Sequence, residues 1–332
     1  MKILEALAVG DALGMPTEFM KREDIRDKFG LVGEILDPSV SWLHANLPKG
    51  SITDDTEQNL YLIEAYCQDA CISVENTSAH LLRWVNETKA DEKGYIGPSS
   101  LKALKAIAEG GDPYQAGKKG STCGGVMRVL SAVLCCRYED EQALQKAVYD
   151  CCIPTHNTAF AVEAAMSLAY ALRSALMQAS FDNILDAAVQ GAIIGRALPK
   201  ESFPGPSTSG RIELQLDTIP ACRSTDEAID FIYNVIGTGL ESYEVGPAVI
   251  GIFLWAKDDV WLAVRMGASI GGDTDTIAAL AGALSAAYAG NHNIPSGITD
   301  EVLRSNKLEL QRYADLVVTL QAGLERKEPT DG

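Results

Sequence analysis

The chain has 332 residues, enough for one large or two ordinary domains, and 47% of them are apolar, enough to bury a full core. Its net charge of −17, from 28 Lys and Arg against 45 Asp and Glu, argues against nucleic acid and anionic membrane surfaces as partners, since both call for basic patches. Eight cysteines include the adjacent pairs Cys135-Cys136 and Cys151-Cys152 but no C-x-x-C, which argues against a disulfide framework or a zinc knuckle.

A first helix is expected over Ile3 to Val9, ending at Gly10-Asp11-Ala12-Leu13-Gly14. This apolar run is short and broken by Glu5 and Asp11, unlike an export signal, so reduced thiols in a cytoplasm are expected. Met15-Pro16-Thr17-Glu18 reads as a turn, with Glu18 either a surface carboxylate or a group aimed into a site. Residues 21–50 are turn-rich and read as a loop that delivers Thr53-Asp54-Asp55-Thr56 to a pocket. Glu57 to Gln68 continues as helix, with Leu60, Ile63 and Cys67 on one apolar face. Asp54-x-x-Glu57 also fits a capping box, which would give the acidic pair a purely local role.

Further helices are expected over Ala79 to Val85 and Leu101 to Ala108, separated by Tyr95-Ile96-Gly97-Pro98. Four glycines then sit between Gly117 and Gly125, ahead of a helix over Val129 to Cys136. Backbone amides of such a stretch can cradle a phosphate, or the stretch can be a flexible loop; it is not a Walker A pattern. Pro154-Thr155-His156-Asn157-Thr158 precedes a long helix, Ala159 to Met177; a lone His here is more often packed or capping than catalytic. Residues 199–210 carry the strongest loop signal and read as a disordered tip or a lid. Helix resumes over Glu227 to Leu240, Val249 to Ala256 and Trp261 to Ala268.

Gly271-Gly272-Asp273-Thr274-Asp275-Thr276 is the densest polar stretch of the chain. The glycines permit positive φ or close backbone approach, and the carboxylates sit where a helix, Ile277 to Gly290, begins. An N-cap needs one oxygen, and this stretch offers several. That helix, 14 residues of mainly small side chains, is too short to span a bilayer. Asp300 to Leu324 gives one or two last helices, and residues 325–332 form a polar tail.

Thr53, Asp54, Asp55, Asp273, Asp275 and Thr276 together offer four carboxylates and two hydroxyls. If the two helix starts converge, the carboxylates repel one another unless a divalent cation reverses the sign. Oxygen-only donors favour Mg²⁺, Ca²⁺ or Mn²⁺, and an EF-hand is excluded because Ile277 stands where another oxygen is required. No βαβ rhythm appears, so the expectation is one all-α domain over 1–324 in which the first and last thirds meet.

These residues occur in the order found in the ADP-ribosylglycohydrolases, which the chain resembles from about Ile3 to Asn291. The resemblance rests on Gly10-Asp11-Ala12-Leu13-Gly14 with Glu18, Thr53-Asp54-Asp55-Thr56, Gly124-Gly125-Val126-Met127-Arg128, Thr155-His156 and the stretch from Gly271 to Thr276. It implies a single compact multi-helix domain with two Mg²⁺ or Mn²⁺ ions held by Thr53, Asp54, Asp55, Asp273, Asp275 and Thr276. Catalytic roles would fall to Glu18, Asp55 and Asp273, and ligand contacts to Gly124, Gly125, Met127, His156, Gly271 and Gly272. The implied reaction is hydrolysis of the bond between ADP-ribose and a protein side chain or small acceptor, by a monomer. One departure stands out: Cys123 occupies the place of the family's usual Asn, which keeps open a glycosidase for another nucleoside- or nucleotide-like sugar. A non-catalytic binder or structural protein that kept the fold is the third alternative.

Overall fold

The computed structural model describes residues 1–199 and 205–325. Among the described residues every regular element is a helix, and the one β-feature is an isolated bridge between Thr122 and Glu241. The all-α expectation is met, and the first and last thirds do meet: the helix Lys2–Gly14 packs along Thr274–Ala289. Small residues set that approach. A Cβ on Gly10 would lie 2.4 Å from the Ala278 carbonyl oxygen, and one on Gly14 would lie 2.4 Å from that of Thr274. The helix Val260–Ser269 joins the same layer, with Gly267 seated against Ala278.

A second layer is built on Ala159–Leu176, paired with Phe181–Ala197 through Gly191 and Gly195 and flanked by Ser242–Ala256. Ala159–Leu176 is long and apolar enough to cross a membrane, yet 83% of it is buried inside the protein, as befits a core helix. Ser242–Ala256 holds Pro247 within its span. Proline has no N–H for the carbonyl four residues back; that carbonyl, on Tyr243, accepts instead from Arg211 Nη1 at 2.7 Å.

Several boundaries differ from the expected ones. The first helix runs through Gly10-Asp11 to Gly14, because both glycines are held by packing. Residues 21–50 are not all loop: Arg22–Phe29 is helical. The segment expected as one helix over 227–240 is α-helical at Thr225–Phe231, passes through a π-turn at Ile232–Ile236 and ends at Gly237, φ +91°. Glu141–Cys152 and Phe181–Ala197 add to the expected helices, and Asp300 to Leu324 resolves into parts of Ser296–Asn306 and Leu310–Glu325. The proposed tip or lid at 199–210 lies partly outside the described residues, as does nearly all of the tail at 325–332. Five of the eight cysteines are buried and all eight are free thiols.

Candidate active site

Two helix starts face each other across a cavity of about 150 Å³. Asp54 and Asp55 open the helix Asp54–Asp69, and Asp273 caps Thr274–Ala289, whose first turn carries Asp275. Five carboxylates line the cavity, from Glu18, Asp54, Asp55, Asp273 and Asp275, and among the described residues no Lys, Arg or His lines it. Thr276, Gly124, Met127 and Cys123 complete the inner wall, and Phe19, Leu43, Tyr95 and Ile96 supply apolar surface.

The capping box expected for Asp54 and Glu57 is not formed. The cap comes from another helix: Asp11 accepts from the Thr53 and Thr56 amides at 3.0 Å and from the Thr53 hydroxyl at 2.9 Å. Asp54 and Asp55 are thereby freed to face the cavity. Glu57 turns the other way and accepts from Trp84 Nε1 at 2.8 Å and Tyr95 Oη at 2.7 Å, tying the 95–98 segment to the same helix.

On the opposite side, Gly271 and Gly272 adopt φ of +84° and +78°. A side chain on Gly272 would lie 2.0 Å from the Thr238 carbonyl oxygen, so only glycine fits. That carbonyl accepts from the Asp273 amide at 2.7 Å, while Gly272 exchanges backbone bonds with Phe19 and Met20. The turn after Glu18 and the Asp273 turn are therefore one braced unit. Arg22 reinforces it, donating to the Ser269 carbonyl at 3.2 Å and to Asp226 and Asp230.

Asp55 Oδ2 lies 3.2 Å from the Thr276 hydroxyl and 3.4 Å from that of Thr53, so the two acidic motifs touch. Asp55 Oδ1 and Asp275 Oδ1 are buried with no hydrogen-bond partner among the described residues. Carboxylate oxygens of Asp11, Asp55 and Asp275 lie within 4.8 Å of one another, and ligand atoms of Glu18, His44 and Asp275 form a second such group. Burial first, and the neighbouring Asp275 charge second, push Glu18, Asp54, Asp55 and Asp273 well above the ordinary carboxylate range. The same causes push Asp11 up to about 7. A buried group of crowded, orphaned carboxylate oxygens is strained unless a cation joins it; its hard oxygen donors suit a divalent ion of the Mg²⁺ or Mn²⁺ type.

The remaining expected residues lie behind the wall. Gly125, His156, Gly271, Gly272 and Thr53 do not line the cavity. His156 is fully buried, with Nδ1 2.7 Å from the Thr155 hydroxyl and Nε2 3.0 Å from that of Thr122. Burial, then the Arg128 charge, hold it well below its usual range, so it is neutral. Its ring presses on the Gly-rich turn: a Cβ on Gly124 would lie 2.6 Å from His156 Cε1. The glycines thus serve close packing against His156, which meets the cavity wall through Gly124 and through its bond with Thr122.

Two site residues escaped the sequence reading. Asp11 carried a signal, a carboxylate inside an apolar helix, which demands a partner. His44 carried none: it comes from the turn at 41–44, where its amide donates to Ser41 Oγ at 3.0 Å, and its Nε2 forms a short contact with Glu18 Oε2. A larger groove of about 570 Å³ near Phe181 and Trp255 has only exposed carboxylates, Asp182 and Asp186, and lacks such a cluster.

A family model for ADP-ribosylglycohydrolase matches residues 2–327. The chain belongs to the ADP-ribosylglycohydrolase family. It is 30% identical over 324 residues to the uncharacterized protein YegU of Escherichia coli, covering 94% of this chain and 95% of that one. It is 25% identical to the ADP-ribosyl-[dinitrogen reductase] glycohydrolase of Rhodospirillum rubrum, over 96% and 95% of the two chains. A solved ADP-ribosylglycohydrolase-related protein complex superposes with a TM-score of 0.70 at 26% identity, over 97% of this chain and 96% of that one. The family is one of hydrolases that act on ADP-ribose glycosidic bonds, and this chain holds a buried acidic cluster that could take a metal ion.

Proposed function

We propose that this protein is a divalent-metal-dependent hydrolase that releases ADP-ribose from a modified protein side chain or a small acceptor. The observation that carries the reading is the pair of orphaned buried oxygens, Asp55 Oδ1 and Asp275 Oδ1, in a cavity lined by five carboxylates. Asp54, Asp55, Asp273, Asp275 and Thr276 would hold two Mg²⁺ or Mn²⁺ ions from the cavity wall, and Thr53, whose hydroxyl lies 3.4 Å from Asp55 Oδ2, from behind it. Such ions, when bound, neutralise the carboxylates, hold hydroxyl oxygens and lower the pKa of water.

The chain's own residues supply the rest. Cleavage at the anomeric carbon builds oxocarbenium character. Carboxylates fixed around that carbon favour the positive charge without reorganising. Asp55 or Asp273 accepts the proton of the attacking water. Glu18 and His44 form a hydrogen-bonded pair at the mouth. Burial favours the protonated carboxyl of Glu18, and we assign the pair to the leaving acceptor. Phe19, Leu43, Tyr95 and Ile96 limit water, and Gly124 and Met127 give the sugar a wall.

One observation favours the neighbouring reading, a glycosidase for another nucleotide-like sugar. Cys123 Sγ lies 3.0 Å from Asp273 Oδ2 on the cavity wall, where the resemblance leads one to expect an Asn amide. The test is release of free ADP-ribose from ADP-ribosyl-arginine and ADP-ribosyl-serine peptides with Mg²⁺, Mn²⁺ or EDTA. Metal-dependent release from either supports the hydrolase reading. No release, with divalent ions still bound, moves the assignment to the other glycosidase; no release and no ions overturns both.

A further inference from the structure

Behind the cavity, two helices diverge from the site side by side: Asp54–Asp69, which begins with the acidic pair, and Val129–Cys135, which follows the Gly124–Met127 wall. Asn59 ties them near the site. Its Nδ2 donates to the Met127 carbonyl at 2.8 Å, and its Oδ1 accepts from the Ser131 amide at 3.0 Å. Two turns farther on, about 12 Å along the axis, a second tie is poised but not made. Cys67 Sγ and Cys135 Sγ lie 3.8 Å apart as free thiols.

We propose that Cys67 and Cys135 are an oxidative modification site, a dithiol that a hydroperoxide closes to a reversible disulfide across this helix pair. The two thiols are unequal. Cys67 is half-buried, whereas Cys135 is buried. The contact with Cys135 lowers the Cys67 thiol and raises that of Cys135. Cys67 is therefore the attacking sulfur, and Cys135 the resolving one. The Cys67 thiolate attacks one peroxide oxygen; an S–O bond forms, the O–O bond breaks, and the leaving hydroxide takes up a proton as water. Cys135 sulfur then attacks the Cys67 sulfenic acid; the S–S bond forms, the S–O bond breaks, and hydroxide leaves with the Cys135 proton as a second water. Two electrons pass from the sulfurs to the peroxide.

The surroundings give the bond a mechanical reach. The last helix, Leu310–Glu325, packs on both partners. Gln321 Nε2 donates to the Leu134 and Cys136 carbonyls at 2.7 and 2.8 Å, on either side of Cys135, and Arg312 pairs with Glu64 one turn before Cys67. Closure would thus join three helices at the far end of the pair whose near end carries the site.

The experiment treats the full chain with hydrogen peroxide, alkylates it and maps the peptides without reduction. The expected result is loss of two of the eight free thiols, a Cys67–Cys135 linked peptide, full reversal by dithiothreitol, and a melting temperature several degrees higher in the oxidised chain. Cys71→Ser removes the exposed neighbour and should leave the link intact. Cys135→Ser should leave a Cys67 sulfenic acid that dimedone traps. Should that variant not fold, alkylation of the native chain serves instead, with Cys67 reacting before Cys135. Linkage of Cys71 between chains only, a link of Cys135 to any other cysteine, or full survival of both thiols would each overturn the proposal.

Discussion

Two buried polar regions lie on opposite faces of the Gly124–Met127 wall, and they are built to opposite rules. Behind the wall, Arg128 is fully buried with no carboxylate partner among the described residues, yet it donates to the Cys151 and Cys152 carbonyls, the Thr155 hydroxyl and Gln58. His156 uses both ring nitrogens. In front of the wall, Asp55 and Asp275 each leave an oxygen buried and unpartnered, and like charges crowd together. Burial costs both regions. The rear one offsets that cost internally and fixes the structure; the front one leaves it standing, for a ligand to relieve. The two are joined, since Gln58 Nε2 donates to Asp54 Oδ2 at 3.1 Å while its other end meets Arg128.

The contrast breaks most sharply at Asp275. Asp275→Asn should lower metal-dependent ADP-ribose release by about 10³-fold or more. It should also raise the melting temperature of the metal-free protein, because a repelling charge is gone. A variant that keeps both its activity and its metal-induced thermal shift would show that the front region is not the ion site. Arg128→Met should do the reverse, destabilising the protein by about 3 kcal/mol with or without metal, as stranded acceptors lose their donor. Denaturant unfolding in EDTA and in Mn²⁺ would measure it, and an effect confined to the metal-loaded form would place Arg128 with the front region instead.

Divalent ion at a hundredfold excess over its dissociation constant should stabilise the native chain by about 2.7 kcal/mol. In EDTA, stability should fall as pH rises from about 4, the ordinary Asp value, to about 7, and level off above it. The Asp11 carboxyl is raised to about 7, above its unfolded value, so the folded chain holds a proton that the unfolded chain has released. That contribution is complete below the unfolded pKa and is lost as pH passes the folded one. Ions should flatten the slope, by competing with the proton; an equal slope with and without metal would separate Asp11 from the site. The smallest effect is expected at Gly125→Ala, whose Cβ would meet Cys152 Sγ at 2.8 Å and His156 Cβ at 3.1 Å. A loss of about 1–3 kcal/mol, with metal affinity unchanged, would mark it as packing.

Much of the front region was legible in the sequence because its parts are local. Asp54-Asp55 and Asp273-x-Asp275 each sit at a helix start, and glycines beside the second announce its turn. The all-helical fold followed from helical periodicity and the lack of a βαβ rhythm. What escaped was long-range. Asp11 caps a helix through Thr53, 42 residues later in the chain, so the local pattern suggested a box with Glu57 that the fold does not use. His44 reaches Glu18 from a turn without a motif. The family resemblance implied a ligand contact for His156, while the residue pattern favoured a packed or capping His; in the fold its ring is spent on Thr122, Thr155 and Gly124.

The trans cap by Asp11 and the seating of Gly10 and Gly14 against the helix at 274–289 have a consequence for synthesis. A chain emerging from the ribosome N-terminus first has Asp11, Asp54 and Asp55 long before Asp273 and Asp275 exist outside the tunnel. Until the segment 274–289 has emerged, the first helix has no partner for its glycine face and the cavity has one wall. The nascent chain therefore holds Asp11, Asp54 and Asp55 before the opposite wall of the cavity exists, and the two walls come together only when the first helix docks on the helix at 274–289.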